Sequence, residues 1–214
     1  MTIVPIQTAS PAGNIASGTA ASLASNATVG NTVLVFIEPW NIETNTVSGT
    51  PACTFGPPSK VAAHISGPNI ECWIVPVTSV AKTFTPTMAS AGYYGIWMQE
   101  LPGSFTAASV TAGTTSTNPT VTCTVAPGQI AYAVVYSWTA LLTNITAVGW
   151  TDNNAGAFAW NSGGDVAYIS PPSGTSQTAT WAAPSSTWTG LGVVLTPAGA
   201  VSGAGNAILP YYYK

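Results

Sequence analysis

Apolar and polar residues alternate with a period of two through most of the chain, in short runs bounded by Gly, Pro, Asn or Ser. That period marks strands lying half-buried on a sheet. The runs predict strands at about 18–27, 31–39, 60–66, 70–77, 82–88 and 92–101, and again at 117–125, 129–138, 144–150, 165–170, 176–182 and 187–196. β-Branched and aromatic residues fill them, which suits a pleated surface. No segment keeps a helical period over three turns, and Ala20–Ala27 is interrupted by Ser, Asn and Thr. Short strands at such regular spacing predict an all-β sandwich or barrel.

An internal repeat sharpens the expectation. Trp73-Ile74-Val75-Pro76, continued through Gly95 to Leu101-Pro102, aligns without a gap, 95 residues on, with Tyr168-Ile169-Ser170-Pro171, continued through Gly190 to Thr196-Pro197. Upstream, Gly30 to Trp40 pairs with Gly128 to Trp138 at an offset of 98. The alignment matches Trp40 with Trp138, Trp73 with Tyr168 and Tyr93 with Trp188. It predicts a jelly-roll-like, two-sheet antiparallel sandwich over 18–199, built from two similar halves at about 18–103 and 116–199. Neither half is expected to bury its own apolar face. Residues 1–17 are read as an N-terminal arm, and 200–214 as a Gly/Ala/Ser linker followed by an aromatic arm.

Composition narrows the function classes. The 214 residues carry three Lys, no Arg and six acids, so only 4% are charged, against about 25% in an ordinary soluble domain. Clustered cations for nucleic-acid phosphates are missing. A chain that is 46% hydrophobic, with mean hydropathy +0.33, is also unlike a disordered one. The stretches 101–151 and 166–213 hold no charge, yet the longest apolar run, Ile130 to Leu142, has 13 residues. That is short of the ~20 needed to span a bilayer, and it reads as a buried strand with its turn. Met1 leads into Thr2-Ile3-Val4-Pro5 without a basic or apolar leader, so the expectation is synthesis in a cytoplasm without export. Cys53, Cys72 and Cys123 are odd in number and widely spaced. They read as free core thiols, with a Cys53–Cys72 bridge as the alternative.

Candidate chemistry is sparse. His64, the single histidine, sits in a strand-like run, and no Ser occupies a Gly-x-Ser-x-Gly elbow. Glu38 shares a strand face with Leu34, Phe36 and Trp40, and Glu100 shares one with Tyr94, Ile96 and Met98. Two inward acids are what a glycosidase needs when they stand about 5–9 Å apart. Their repeat partners, Tyr136 and Leu195, are not acidic, and this favours strand-end or hydrogen-bonded acids over catalysts. Asp152-Asn153-Asn154, with Asp165 following, offers oxygen ligands but lacks Ca²⁺-loop spacing and reads as turn chemistry. No catalytic residue, metal or cofactor is therefore assigned. Trp150, Trp160 and Trp181 lie near turns and are read as candidate glycan or surface contacts.

The run Gly30-Asn31-Thr32-Val33-Leu34-Val35-Phe36, strands carrying Ile74 and Trp97, and the closing Gly192-Val193-Val194-Leu195-Thr196-Pro197 resemble small β-sandwich virion proteins of tailed phages, of the tail or capsid-decoration type. The resemblance implies a non-enzymatic exterior β-domain, located in the virion, that binds neighbouring virion subunits or a host surface. Sparse charge agrees, because it suits a subunit covered in an assembly. A homo-oligomer is expected, without nucleic acid or membrane insertion. Ile208, Leu209, Tyr211, Tyr212 and Tyr213 are read as an assembly arm. A glycan-binding module and, behind it, a glycoside hydrolase-like enzyme are the alternative readings.

Overall fold

The computed structural model describes residues 2–9, 15–39, 46–64, 69–90, 92–116, 118–137, 148–152, 163–170, 175–182 and 186–199. All regular structure among them is β. The first half holds β1 (Gln7–Ala9), β2 (Ile15–Ala16), β3 (Ala21–Ser22), β4 (Thr32–Pro39), β5 (Ala52–Cys53), β6 (Ser59–His64), β7 (Ile70–Pro76), β8 (Thr83–Thr85) and β9 (Tyr93–Leu101). The second holds β10 (Phe105–Ser116), β11 (Thr120–Val125), β12 (Ile130–Ser137), β13 (Thr151–Asp152), β14 (Gly163–Ile169), β15 (Thr175–Thr180) and β16 (Ser186–Pro197). Every recorded pairing is antiparallel.

Four sheets result. In the first half, β1-β9-β4-β7-β6 forms an inner sheet, with β2 also on β9, and β3-β8-β5 forms an outer one. In the second, β10-β16-β12-β14-β13 is the inner sheet and β11-β15 the outer. The chain passes repeatedly between inner and outer sheets, which is the jelly-roll path. Each half is thus a two-sheet roll in its own right, not the single sheet per half that the repeat suggested.

Three cores hold the rolls. Val33, Val35, Ile37, Trp73, Ile96 and Phe84 fill the first roll, between its two sheets. Val121, Cys123, Ala133, Val135, Trp181 and Trp188 fill the second. The third core lies between the two inner sheets and draws Leu34, Phe36, Ile74 and Trp97 from one roll, and Tyr132, Val134, Leu191 and Val193 from the other. Phe36, Trp97 and Tyr132 meet there at centroid distances of 5.7 to 6.0 Å. Inner strands are therefore covered on both faces, and their sequences follow. Thr32–Pro39 and Ile130–Ser137 are buried at every position, whereas outer β11 alternates exposed and buried.

The duplication is visible in the turns. Thr28 to Asn31 and Ala126 to Gln129 each close a turn with a backbone bond, from Asn31 N–H to Thr28 O and from Gln129 N–H to Ala126 O. Gly30 and Gly128 take φ of +92° and +82° within them, values that only Gly adopts without strain. The 98-residue offset therefore holds for β4 and β12. The 95-residue offset does not hold for the later strands. Leu34 faces Ile74 and Gln99, and its counterpart Tyr132 faces Tyr168 and Val193, so these strands correspond at 94 residues. A one-residue slip exchanges the two faces of a strand. Gly95 consequently corresponds to Thr189 and not Gly190, and Trp188 to buried Tyr94 and not exposed Tyr93. Trp40 and Trp138 lie outside the described residues.

Other boundaries also moved. β1 and β2 place part of the N-terminal arm in the first inner sheet. β10 occupies what the repeat left as a connection. The expected strand at 18–27 shrinks to β3, and 144–147 falls outside the described residues.

Candidate functional site

Seven charged side chains are described, and the acids among them are inside. Glu38, Glu71, Glu100 and Asp165 are each at most 2% exposed, Asp152 is half-buried, and the exposed charges are Lys60 and Lys82. Buried charge is costly unless bonded, so each acid needs an account.

Glu100 is held in a cage of donors: Gln7 Nε2 at 2.5 Å, Asn31 Nδ2 at 2.6 Å and the Thr28 N–H at 2.8 Å. Burial alone would raise its pKa, but these hydrogen bonds outweigh burial and hold it below the ordinary value. It ties the edge strand β1 and the Gly30 turn to β9. Its work is structural.

Glu71 and Asp165 are the same position in the two rolls, since Glu71 pairs with Ile37 and Asp165 with the corresponding Val135. Each accepts one indole N–H and one backbone N–H. Glu71 takes Trp73 Nε1 at 3.1 Å and Val47 N at 2.9 Å, and Asp165 takes Trp181 Nε1 at 2.5 Å and Val166 N at 2.8 Å. The difference lies on the neighbouring strand. Lys60, opposite Trp73, bonds Glu71 at 2.9 Å and stacks 5.0 Å from the Trp73 ring centroid. Asp152, opposite Ala167, is the second roll's counterpart of Lys60. A carboxylate stands where the first roll has an ammonium.

The electrostatics follow. Burial first, and then repulsion from Asp152, push the Asp165 carboxyl up to about 7 against the opposing pull of Trp181 and Val166. Glu38, at the end of β4, is the third member. Neither of its oxygens has a hydrogen-bond partner, and burial followed by repulsion from Asp165 raises its pKa well above the carboxylate range. Burial thus favours the protonated form of both Glu38 and Asp165. Both carboxyls are sealed from solvent. Among the described residues no set of three His, Cys, Asp or Glu could hold a metal ion.

The acid pair weighed as a glycosidase is not a pair. Glu100 is opposite Val33 and Glu38 opposite Gly95, which separates them by about 17 Å along β4. They also face different cores, Glu38 with Leu34 and Phe36, Glu100 with Ile96 and Met98. His64 is half-buried with Nδ1 unbonded, and burial lowers its pKa. A shallow surface depression lined by Ala16, Ser17, Gly92 and Tyr93 brings no acid, His or Cys together.

The tryptophans expected to face outward are corrected. Trp181 is fully buried with its indole N–H on Asp165, and Trp150 is 9% exposed within the second roll's core. Both pack with Val121, Val135 and Ala167 in the core between the second roll's sheets. Trp160 and the arm residues Ile208, Leu209, Tyr211, Tyr212 and Tyr213 lie outside the described residues. The three cysteines are free thiols, with Cys72 and Cys123 buried and Cys53 half-buried. The buried acids Glu71 and Asp165 were missed as a pair. A 94-residue offset aligns them, whereas the 95-residue one does not. No family model, curated protein or solved structure matches this chain, so the resemblance carried by Gly30–Phe36, Ile74, Trp97 and Gly192–Pro197 rests on those residues alone.

Proposed function

We propose that this chain is a non-enzymatic structural subunit of a virion exterior, of the minor tail, tail-tip or capsid-decoration type, that assembles with copies of itself and with other virion subunits. The observation that carries the reading is the placement of charge. The described surface presents Lys60 and Lys82 and no exposed carboxylate, while the buried Glu71, Glu100 and Asp165 bond inward. Single apolar side chains project instead, among them Val4, Val29, Val80 and Val148, the last 97% exposed. Free monomers rely on surface charge for solubility, and a subunit covered by neighbours does not. Jelly rolls recur in viral capsids and lectins, which supports the particle setting by analogy of fold. Host-surface contact is the second role in this reading.

Light scattering and electron microscopy of the purified chain test assembly, and immunogold labelling of particles released by cells that make it tests location. Ordered oligomers and labelled particle exteriors support the proposal. A chain that stays monomeric and soluble at high concentration, with unlabelled particles, overturns it.

A further inference from the structure

The four edges of the two inner sheets are not alike. β1 has three residues, and β13 has two. β6 carries Lys60 and a register break between Lys60 and Ala62. Shortness, a lysine and a bulge are the devices by which proteins blunt sheet edges. β10 has none of them. It runs twelve residues, Phe-Thr-Ala-Ala-Ser-Val-Thr-Ala-Gly-Thr-Thr-Ser, with no charge and no Pro. It pairs with β16 without a register shift from Phe105↔Pro197 to Ser116↔Ser186. Among the described residues no strand is hydrogen-bonded to its other side, although β6 of the first roll passes close to it. In the first roll the corresponding edge of β9 is shared by two short pieces, β1 and β2. The second roll has a long, clean edge in the same place.

We propose that the β10 edge is the docking strand for residues 206–213 of a second copy of this chain, which add to the second inner sheet by β-augmentation. This rests on the assembly reading above and names its contact. The occupant follows from the chain that continues past β16. Ala198-Gly199-Ala200-Val201-Ser202-Gly203-Ala204-Gly205 has the Gly/Ala/Ser composition of a linker, and Asn206-Ala207-Ile208-Leu209-Pro210-Tyr211-Tyr212-Tyr213 is uncharged and rich in apolar and aromatic residues. Eight extended residues cover about 27 Å, within the ~40 Å that β10 offers. Pro210, which lacks an N–H, is tolerated on an edge strand. Main-chain bonds supply the affinity in such pairing, and alternate side chains supply the selectivity.

A second copy is favoured over the same chain by geometry. β16 ends at Pro197, level with Phe105 at the start of β10. A tail turning directly back along its own β10 would run parallel to it, whereas one from a neighbour is free to pair antiparallel, the more stable arrangement.

The test is hydrogen exchange on the full chain, compared with a full-length Leu209→Asp/Tyr212→Asp variant, with oligomeric state followed by light scattering. Segment 105–116 of the assembled chain should exchange roughly tenfold slower than in the variant, while β12 exchanges alike in both. Loss of assembly with β10 exchange unchanged means the arm docks elsewhere, which overturns this inference and leaves the assembly reading standing. A monomer whose β10 is protected at every dilution means its own tail covers the edge, and also overturns it. A variant that assembles as well as the parent removes the arm altogether. A synthetic peptide of residues 206–214, in excess over the unsubstituted chain, needs no substitution. It should dissolve the assembly and keep β10 protected; failure to do so counts against the proposal.

Discussion

The Tyr132 hydroxyl on β12 donates its hydrogen to Gln99 Oε1 on β9, across the core that joins the two rolls. Gln99 Nε2 continues the chain to Thr8 Oγ1 on β1, at 2.8 Å. The Tyr132 ring packs at the same time on Phe36 and Trp97. One residue of the second roll thus anchors the middle and the edge of the first. This bond fixes how the rolls sit on each other, because a shifted packing leaves a buried amide oxygen unbonded.

Tyr132→Phe should therefore destabilise by about 1–3 kcal/mol, the cost of stranding a buried acceptor. Adding Gln99→Met should recover part of the loss, since Val193, at the corresponding place in the second roll, is apolar. Urea denaturation of the single and double variants measures both. A neutral Tyr132→Phe would show that the hydroxyl contributes nothing.

Stability should fall as pH rises from about 4 to about 7. Asp165 and Glu38 keep their protons in the folded chain over a range in which the unfolded chain has lost them, so the folded state binds more protons and rising pH favours unfolding. The rise of Asp165 from 3.8 to about 7 corresponds to a loss on the order of 4 kcal/mol across that window. Glu100 acts oppositely: its lowered pKa stabilises above the usual carboxylate range, and that contribution disappears as pH falls through the lowered value. The optimum should lie near pH 4–5. Calorimetric Tm against pH reads the slope, and Asp165→Asn should flatten it. A Tm that climbs from pH 5 to pH 8 contradicts the assignment.

Asp152→Lys carries the first roll's arrangement into the second, placing an ammonium beside Asp165 as Lys60 stands beside Glu71. It should raise Tm at pH 8, where the carboxylates otherwise repel, and change it little at pH 4. An equal effect at both values would mean the gain is not electrostatic.

Much of this was legible in the chain. Alternation marked the strands, and the Gly30 and Gly128 turns marked the duplication. What went unread was the meaning of unbroken apolar runs. Val33–Ile37 and Ile130–Tyr136 do not alternate because both faces of each strand are covered, and that already implies layers beyond two. β10 escaped because Thr, Ala and Ser dominate it and leave the period of two faint. The acids misled for a different reason. Whether Glu38 and Glu100 form a pair depends on register along β4, and register cannot be read from one strand at a time.

Gly56 should tolerate no side chain. A Cβ there would stand 1.8 Å from the Pro76 carbonyl oxygen, so the loop before β6 must move off the end of β7. Gly56→Ala should cost about 3 kcal/mol or more. Gly103→Ala is the comparison: φ is +87° there, with nothing within 4 Å of the added atom, and only the backbone penalty of about 1–2 kcal/mol remains. If the two cost the same in denaturant titrations, close approach is not what requires glycine at Gly56.

The two rolls should unfold together. Each has its own core, yet each inner sheet also turns an apolar face to the other, with Leu34, Phe36, Ile74, Trp97 and Leu101 on one side and Ile130, Tyr132, Val134, Leu191 and Val193 on the other. Fully burying a Leu, Ile or Phe side chain contributes ~1.5–3 kcal/mol. Separating the rolls thus exposes more than the 5–15 kcal/mol by which a domain is usually stable. The full chain should melt in one transition with equal calorimetric and van't Hoff enthalpies. A fragment of residues 1–103 should self-associate through the bared face, and co-expression with 104–214 should rescue it as a soluble pair. A monomeric 1–103 fragment with a sharp melt of its own would show that the first roll does not need the shared core.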